Sequence, residues 1–145
     1  MFKHILLPTD GSDSSEVAVQ SAVELAREMG ATITGLHVVP PFHTFTYRAE
    51  MLEDTEEQYE KESEELARKI LTKVEQRARA SGVPFESVVL RSDDVYDGII
   101  ATANHRHCDL IAMASHGRSG MRGLLLGSVT QKVLTHTDLP VLVYR

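Results

Sequence analysis

The chain has 145 residues, a formal net charge of −6 and a single cysteine. This length fits one domain that buries about 68–70% of its unfolded surface, so the core needs neither disulfides nor a metal. The lone cysteine excludes an intramolecular disulfide framework, the acidic balance disfavours nucleic acid and anionic membranes as partners, and no apolar stretch approaches the ~20 residues of a membrane span.

The first part of the chain alternates strand-like and helix-like segments. A short apolar run predicts a strand over residues 3–7, and it is too short for a signal peptide, so we expect a cytoplasmic protein. An amphipathic helix is predicted from about Asp13 to Met29, with Ser12 or Asp13 as its cap and Gly30 as its stop. A second strand follows over residues 32–39.

A long charged helix is predicted over residues 49–80, ended by Ser81-Gly82. Acidic residues predominate over residues 50–65, and basic residues dominate the second half. This order matches the helix dipole, so a solvated face is favoured over a binding surface.

The remaining elements continue the alternation. They are a strand over residues 84–91, a helix from 93 or 94 to 106, a strand over 109–114, a helix over 127–136 and a final strand over 139–144. Strands joined by helical crossovers imply a parallel sheet. The predicted fold class is therefore α/β, one domain over residues 1–145 with an open five-stranded parallel sheet and helices on both faces.

The loop over residues 115–130 carries the strongest functional signal. It leaves the carboxyl end of an apolar strand, contains glycines at 117, 120, 123 and 127, and holds two arginines and no acidic residue. A helix beginning near Gly127-Ser128 would present unpaired N–H groups to an anion such as phosphate. The alternative is a loop that only turns the chain, with Ser128 as a simple N-cap. Neither G-x-x-x-x-G-K-[ST] nor G-x-G-x-x-G occurs.

A second polar segment ends the first strand. Asp10 stands there with the hydroxyls of Thr9 and Ser12. If the first and fourth strands are neighbours, this segment faces the glycine-rich loop, and Asp10 can accept hydrogen bonds from a base or sugar. The alternative is that Asp10 and Ser12 only cap the first helix.

Two other groupings are weaker signals of chemistry. Ser115 and His116 are adjacent, and adjacent side chains at a strand end are expected to point apart, which disfavours a serine hydrolase. The segment over residues 105–109 contains metal-type ligands without the spacing of a zinc site, so we interpret it as a helix end with exposed histidines. Cys108 within it is expected to be a small buried residue. We assign no catalytic residue and no metal ligand.

Four segments of the chain resemble the universal stress protein family over essentially the full length. They are Ile5-Leu6-Leu7-Pro8-Thr9-Asp10-Gly11-Ser12, Leu36-His37-Val38-Val39, Cys108-Asp109-Leu110-Ile111-Ala112-Met113, and residues 115–129 with the later run Leu139-Pro140-Val141-Leu142-Val143. The resemblance implies a Rossmann-like fold of the adenine nucleotide alpha hydrolase-like type, with strand order 3-2-1-4-5.

The nucleotide-binding branch of that family has the motif G-2x-G-9x-G-[ST], which falls here on positions 114, 117, 127 and 128. Three positions match, and the first is Ala114 in place of the glycine whose backbone lies against the ribose. The resemblance implies base and ribose contacts from Thr9, Asp10, Val38 and Met113, and phosphate contacts from Gly117, Gly127, Ser128 and Val129. Pro8, Ala114 and His116 complete the predicted set, and Arg118 joins it on electrostatic grounds.

The resemblance further implies ATP or a related adenine nucleotide as ligand, and leaves open whether Mg²⁺ accompanies the phosphates. It also implies a homodimer through the last strand, residues 139–144, whose apolar edge would otherwise be bare. The leading interpretation is a cytoplasmic stress-response binding module. The alternatives are a weak ATPase or autophosphorylating protein that uses Ser128, and a nucleotide-free interaction protein. The absence of a P-loop lysine disfavours strong catalysis.

Overall fold

Five parallel strands form one sheet in the order β3-β2-β1-β4-β5. The computed structural model describes residues 1–42, 55–117 and 126–145. The strands are β1 His4–Pro8, β2 Thr32–Val39, β3 Phe85–Arg91, β4 Leu110–Ala114 and β5 Val141–Tyr144. The α/β class and the strand order expected from the sequence are both confirmed.

Helices cover both faces of this sheet. Those in the described part of the chain are α1 Asp13–Met29, α2 Glu56–Ala80, α3 Val95–His105 and α4 Ser128–His136. Successive residues of β1 point to opposite faces, so Ile5 and Leu7 pack with α1 and α2, whereas Leu6 packs with α3 and α4. Because both faces are covered, β1 is an unbroken apolar run in the centre of the sheet.

The ends of α1 follow from its sequence. The Ser12 hydroxyl accepts the N–H of Ser15 at the N-terminus, and Gly30 ends the helix in the left-handed conformation with φ of 67°. A side chain at Gly30 would be strained in that conformation, which is why glycine serves as the stop. The predicted bounds of this helix are confirmed.

The prediction of one continuous helix over residues 49–80 is wrong at Thr55, and its predicted start falls outside the described residues. Thr55 is extended, with φ of −75° and ψ of 153°, and its hydroxyl accepts the N–H of Gln58 as an N-cap. The described helix therefore begins at Glu56, and residues 43–54 lie outside the described part of the chain. On its exposed face Arg68 pairs with Glu64 at 2.7 Å and Arg79 with Glu75 at 2.9 Å, which fits a solvated surface.

Parallel pairing brings the carboxyl ends of β1, β2 and β4 to one edge of the sheet. β1 lies between β2 and β4, with Leu6 in register with Thr34 on one side and Ile111 on the other. Beyond the last β1 residue, the N–H of Thr9 still donates to the carbonyl of Leu36 at 2.9 Å. The segments that follow β1 and β4 therefore face each other. This is the arrangement that the sequence analysis gave as the condition for a shared site.

Candidate functional site

A cavity of about 540 Å³ opens at the carboxyl edge of the sheet, between the segments that follow β1, β2 and β4. The described residues that line it are Pro8, Thr9, Asp10, Ser15, Leu36, His37, Val38, Val95, Ile99, Met113, Ala114, His116, Gly117, Gly127, Ser128, Val129 and Thr130. The structure thus brings together eleven of the twelve predicted site residues. The twelfth, Arg118, lies outside the described residues.

One wall of the cavity is apolar. Leu36 and Val38 contribute from β2, Ile99 from α3, Met113 from β4 and Val129 from α4. All five also belong to, or pack against, the core cluster on that face of the sheet, so their positions are fixed by packing. A flat aromatic ring is the kind of group that such a wall accommodates.

Asp10 contributes a carboxylate to the cavity lining and is held by residues at the start of α1. Its Oδ1 accepts the backbone N–H of Ser12 at 2.9 Å and the hydroxyl of Ser15 at 2.7 Å. The Ser12 and Ser15 hydroxyl oxygens lie 2.9 Å apart, and Ser15 is buried. Ser12 caps α1, and Asp10 both supports the start of that helix and lines the cavity.

Gly117 lies directly against the Asp10 carboxylate. A Cβ atom added at Gly117 would stand 2.6 Å from Asp10 Oδ2, closer than carbon and oxygen can approach. The two segments therefore meet across the cavity, and only glycine fits at position 117 without moving Asp10. This contact is the close approach that the sequence predicted between the first and fourth strands.

The N-terminus of α4 borders the same cavity without a side-chain cap. Gly127 is the N-cap residue, Ser128 is the first helical residue, and the first turn carries no acidic residue. The alternative in which Ser128 serves as a simple N-cap is therefore wrong, because Gly127 is the N-cap and Ser128 is already helical. The first-turn N–H groups of an α-helix have no partner within the helix, and they carry its positive dipole end.

The end of β4 is tied to the start of α4. The Gly127 N–H donates to the Ser115 carbonyl at 2.6 Å, and a Cβ at Gly127 would stand 3.2 Å from that same oxygen. The Thr130 hydroxyl donates to the carbonyl of Ala114 at 3.0 Å and reaches that of Ser115 at 3.3 Å. The uncapped helix end is thus held beside Ala114.

Residues 1–145 match the model of the universal stress protein family. The chain belongs to this family. It is 32% identical to the universal stress protein YxiE of Bacillus subtilis over the full length of both proteins.

Solved structures of this family share the fold. The structure of MJ0577 from Methanocaldococcus jannaschii has a TM-score of 0.84 at 26% identity, covering 99% of this chain and 95% of that one. A universal stress protein in complex with cAMP has a TM-score of 0.70 at 25% identity, covering 99% and 97% of the two chains.

Sequence reasoning missed six of the residues that line the cavity of this universal stress protein: Ser15, Leu36, His37, Val95, Ile99 and Thr130. Leu36 was recognisable, because it shares a face of β2 with Val38 at a spacing of two. Ile99 and Val95 share a face of α3, but no local signal says which helix covers the end of β2. His37 donates from Nδ1 to the Thr9 carbonyl at 2.9 Å, a contact that requires the pairing of β1 with β2.

Ser115 and His116 do not point apart as expected. Ser115 Oγ lies 2.9 Å from His116 Nδ1, because the chain has left β4 at this point and strand alternation no longer applies. His116 lines the cavity, whereas Ser115 is buried. The pair is a structural contact at the cavity's margin rather than an exposed nucleophile with its base.

The segment over residues 105–109 lies at the opposite, amino edge of the sheet. Cys108 is buried as predicted, and burial, with the nearby carboxylates of Glu86 and Asp109, raises the pKa of its thiol to about 11. Burial acts to raise the pKa of Asp109, but the backbone N–H groups of Lys3 and His4 donate to its carboxylate and hold that pKa below its usual value. Within the described ranges no three His, Cys, Asp or Glu side chains converge as a metal site.

Proposed function

We propose that this protein is a stress-response binding module that takes ATP or a related adenine nucleotide into the cavity at the carboxyl edge of β1 and β4. The observation that carries the proposal is the N-terminus of α4, which borders the cavity and has no side-chain cap among the described residues. The complex of a universal stress protein with cAMP, 25% identical to this chain, supports an adenine nucleotide as the ligand.

Each part of a nucleotide has a matching surface in the cavity. The base would lie on the apolar wall with Val38 and Met113, and the Asp10 carboxylate would accept a hydrogen bond from the sugar or base. The phosphate would take the N–H groups at the start of α4, beside Gly117 and Gly127. Cavities of about 300–1,000 Å³ are usual for ligands of this size, which includes the 540 Å³ found here.

The charged residues around the cavity determine how a Mg²⁺ ion could be held there. Among the described lining residues Asp10 is the one carboxylate, and Ser12 and Ser15 already donate to its Oδ1. Mg²⁺ is usually held by one or two carboxylates together with substrate phosphates. A Mg²⁺ ion that accompanied the nucleotide would therefore be held chiefly by the phosphate oxygens.

The direct test is to identify what the protein carries and then to titrate it. We expect denaturation of the purified protein to release an adenine nucleotide that mass spectrometry identifies, and the emptied protein to bind ATP and AMP in calorimetry. Absence of binding heat and of a thermal shift at millimolar nucleotide would contradict the proposal. It would favour the alternative of a nucleotide-free interaction protein.

We also propose that the single domain works as a cytoplasmic homodimer through β5. This strand is at the edge of the sheet, Leu142 on it is 36% exposed, and an apolar edge strand left bare invites pairing. Lysine at an edge strand opposes pairing, so Leu142→Lys should shift the sedimenting species from dimer to monomer. A wild-type protein that sediments as a monomer at micromolar concentration would contradict the dimer.

None of the described helices is long and apolar enough to cross a bilayer.

A further inference from the structure

The Thr130 hydroxyl bonds outside its own helix. It is the third residue of α4 and is 3% exposed, and its hydroxyl donates out of the helix to the Ala114 carbonyl at 3.0 Å. For the third residue of a helix, the carbonyl one turn back lies at the N-cap or before it, whereas a threonine deeper in a helix can bond a carbonyl of its own helix. Thr135, on the same helix, does so with the carbonyls of Gln131 and Lys132. The Thr130 bond therefore joins two elements rather than stabilising one.

The same junction holds a second bond from the start of α4. The Gly127 N–H donates to the Ser115 carbonyl at 2.6 Å, and the Thr130 hydroxyl reaches that oxygen at 3.3 Å. The Gly127 N–H and the Thr130 hydroxyl, one helical turn apart, thus donate to the carbonyls of Ala114 and Ser115 at the end of β4. Hydrogen bonds at two points restrict rotation and sliding of the helix against the strand.

These hydrogen bonds fix how α4 docks on β4, and that docking sets the shape of the cavity. Ala114 lines it from the strand, and Ser128 and Val129 line it from the first turn of the helix. The distance from the wall at Ala114 to the first-turn N–H groups depends on how α4 is docked on β4. Because the strength of a hydrogen bond to phosphate falls steeply with misalignment, a small shift of the helix would weaken phosphate contacts and leave the base pocket intact.

We propose that Thr130 is a positioning residue that holds the N-terminus of α4 at the distance a nucleotide phosphate requires. This inference rests on the proposed nucleotide function of the cavity. Thr130 does not itself contact the phosphate in this account. It acts through the N–H groups of Ser128 and Val129.

The test compares AMP with adenosine, because the ratio of their affinities isolates the phosphate. Thr130→Val removes the hydroxyl and keeps the shape, Thr130→Ala removes it without placing a methyl against the carbonyls, and Thr130→Ser restores it. Thr135→Val is the matched control, since it deletes a threonine hydroxyl from the same helix away from the cavity. Calorimetry gives both affinities, and thermal unfolding shows that each variant is folded.

We expect Thr130→Val and Thr130→Ala to lose about tenfold in AMP affinity, as for a weakened charge-assisted hydrogen bond, while adenosine affinity changes by less than about twofold. Thr130→Ser and Thr135→Val should keep the wild-type ratio. Equal losses for AMP and adenosine, or an unchanged ratio in folded Thr130→Val and Thr130→Ala, would overturn the positioning role alone. A wild-type protein that binds AMP no more tightly than adenosine would overturn the proposed phosphate site together with it.

Discussion

Two helix N-termini stand at the same edge of the sheet, and they are built in opposite ways. α1 is capped by the Ser12 hydroxyl and carries Asp13 and Glu16 in its first turn. α4 begins at Gly127 with no side-chain cap and no acidic residue in its first turn. Both helices follow strands of the same parallel sheet, so their dipoles present the same positive end to the cavity.

The difference separates a structural helix end from one suited to a ligand. At α1 the protein supplies its own oxygen acceptors and negative charge, which stabilise the helix and discourage an external anion. At α4 no described side chain caps the first turn, and the proposed function assigns the N–H groups there to an anion from outside. The Ser12 cap and first-turn acids of α1, and the Gly127 cap of α4, encode this contrast. Exchanging these features should make the two helix ends more alike.

The largest expected effect comes from giving α4 the acidity of α1. Ser128→Asp places a carboxylate in the first turn, where it stabilises the helix and repels phosphate. At ~5 Å and an effective dielectric constant of ~20, the repulsion is about 3 kcal/mol, or on the order of 100-fold in AMP affinity by calorimetry. Ser14→Asp makes the same change in the first turn of α1, outside the residues that line this cavity, and should have a much smaller effect. Equal losses of AMP affinity in Ser128→Asp and Ser14→Asp would contradict the proposed difference between the two helix ends.

Removing the charge of Asp10 should have the next largest effect. Asp10→Asn keeps an oxygen for Ser12 and Ser15 but replaces the other carboxylate oxygen with a donor. Loss of a charge-assisted hydrogen bond predicts about a tenfold lower affinity for adenosine, measured by calorimetry. Asp13→Asn is the matched control, because this exposed acid belongs to α1 and does not line the main cavity. An unchanged adenosine affinity in Asp10→Asn would contradict a hydrogen bond from the nucleoside to the Asp10 carboxylate.

The cap of α1 should matter for stability rather than for the ligand. Ser12→Ala removes the hydroxyl that accepts the Ser15 N–H, which costs about 1 kcal/mol of unfolding free energy. For a chain of this size the melting temperature should fall by about 2–4 °C. Ser14→Ala, exposed in the same turn, should melt within about 1 °C of the wild type, since surface changes of this kind rarely exceed ~0.5 kcal/mol. A cap that contributes nothing would make the two variants melt alike.

The smallest effect is expected at Ala114, beside α4. Ala114→Gly removes the methyl group that stands where the family motif has glycine, and AMP affinity should rise by about twofold to fivefold, or about 0.4–1 kcal/mol. The unfolding free energy should fall by about 0.5–1 kcal/mol, because glycine weakens a strand. Ala112→Gly, buried on the same strand away from the cavity, should lose stability without the gain in affinity. A gain in both variants would show that the effect does not arise at the cavity.

The sequence predicted most of the fold because each element carries its own signal. The apolar runs of β1 and β4, the cap at Ser12 and the stop at Gly30 are local features, and the structure has them where they were expected. The N-cap at Thr55 was missed because the charged pattern of the sequence continues through it. A threonine followed by acidic residues is an N-cap signal in its own right.

The candidate site was predictable where its residues lie on segments that follow strands. Asp10, Gly117 and Gly127 were found in this way. Ile99 and Val95 come from α3, whose place over the cavity depends on the packing of whole helices, and no short sequence pattern reports it. The bond from Thr130 to Ala114 joins residues 16 positions apart, so it is visible only once α4 is docked on β4.

The contrast between the two helix ends can be tested in one titration. AMP added to the ¹⁵N-labelled protein should shift the backbone N–H resonances of Ser128 and Val129 strongly downfield, as expected for donors to a phosphate. The resonances of Asp13 and Ser14, at the start of α1, should move little. Larger shifts at Asp13 and Ser14 than at Ser128 and Val129, or no shift at either end with millimolar AMP, would contradict the account.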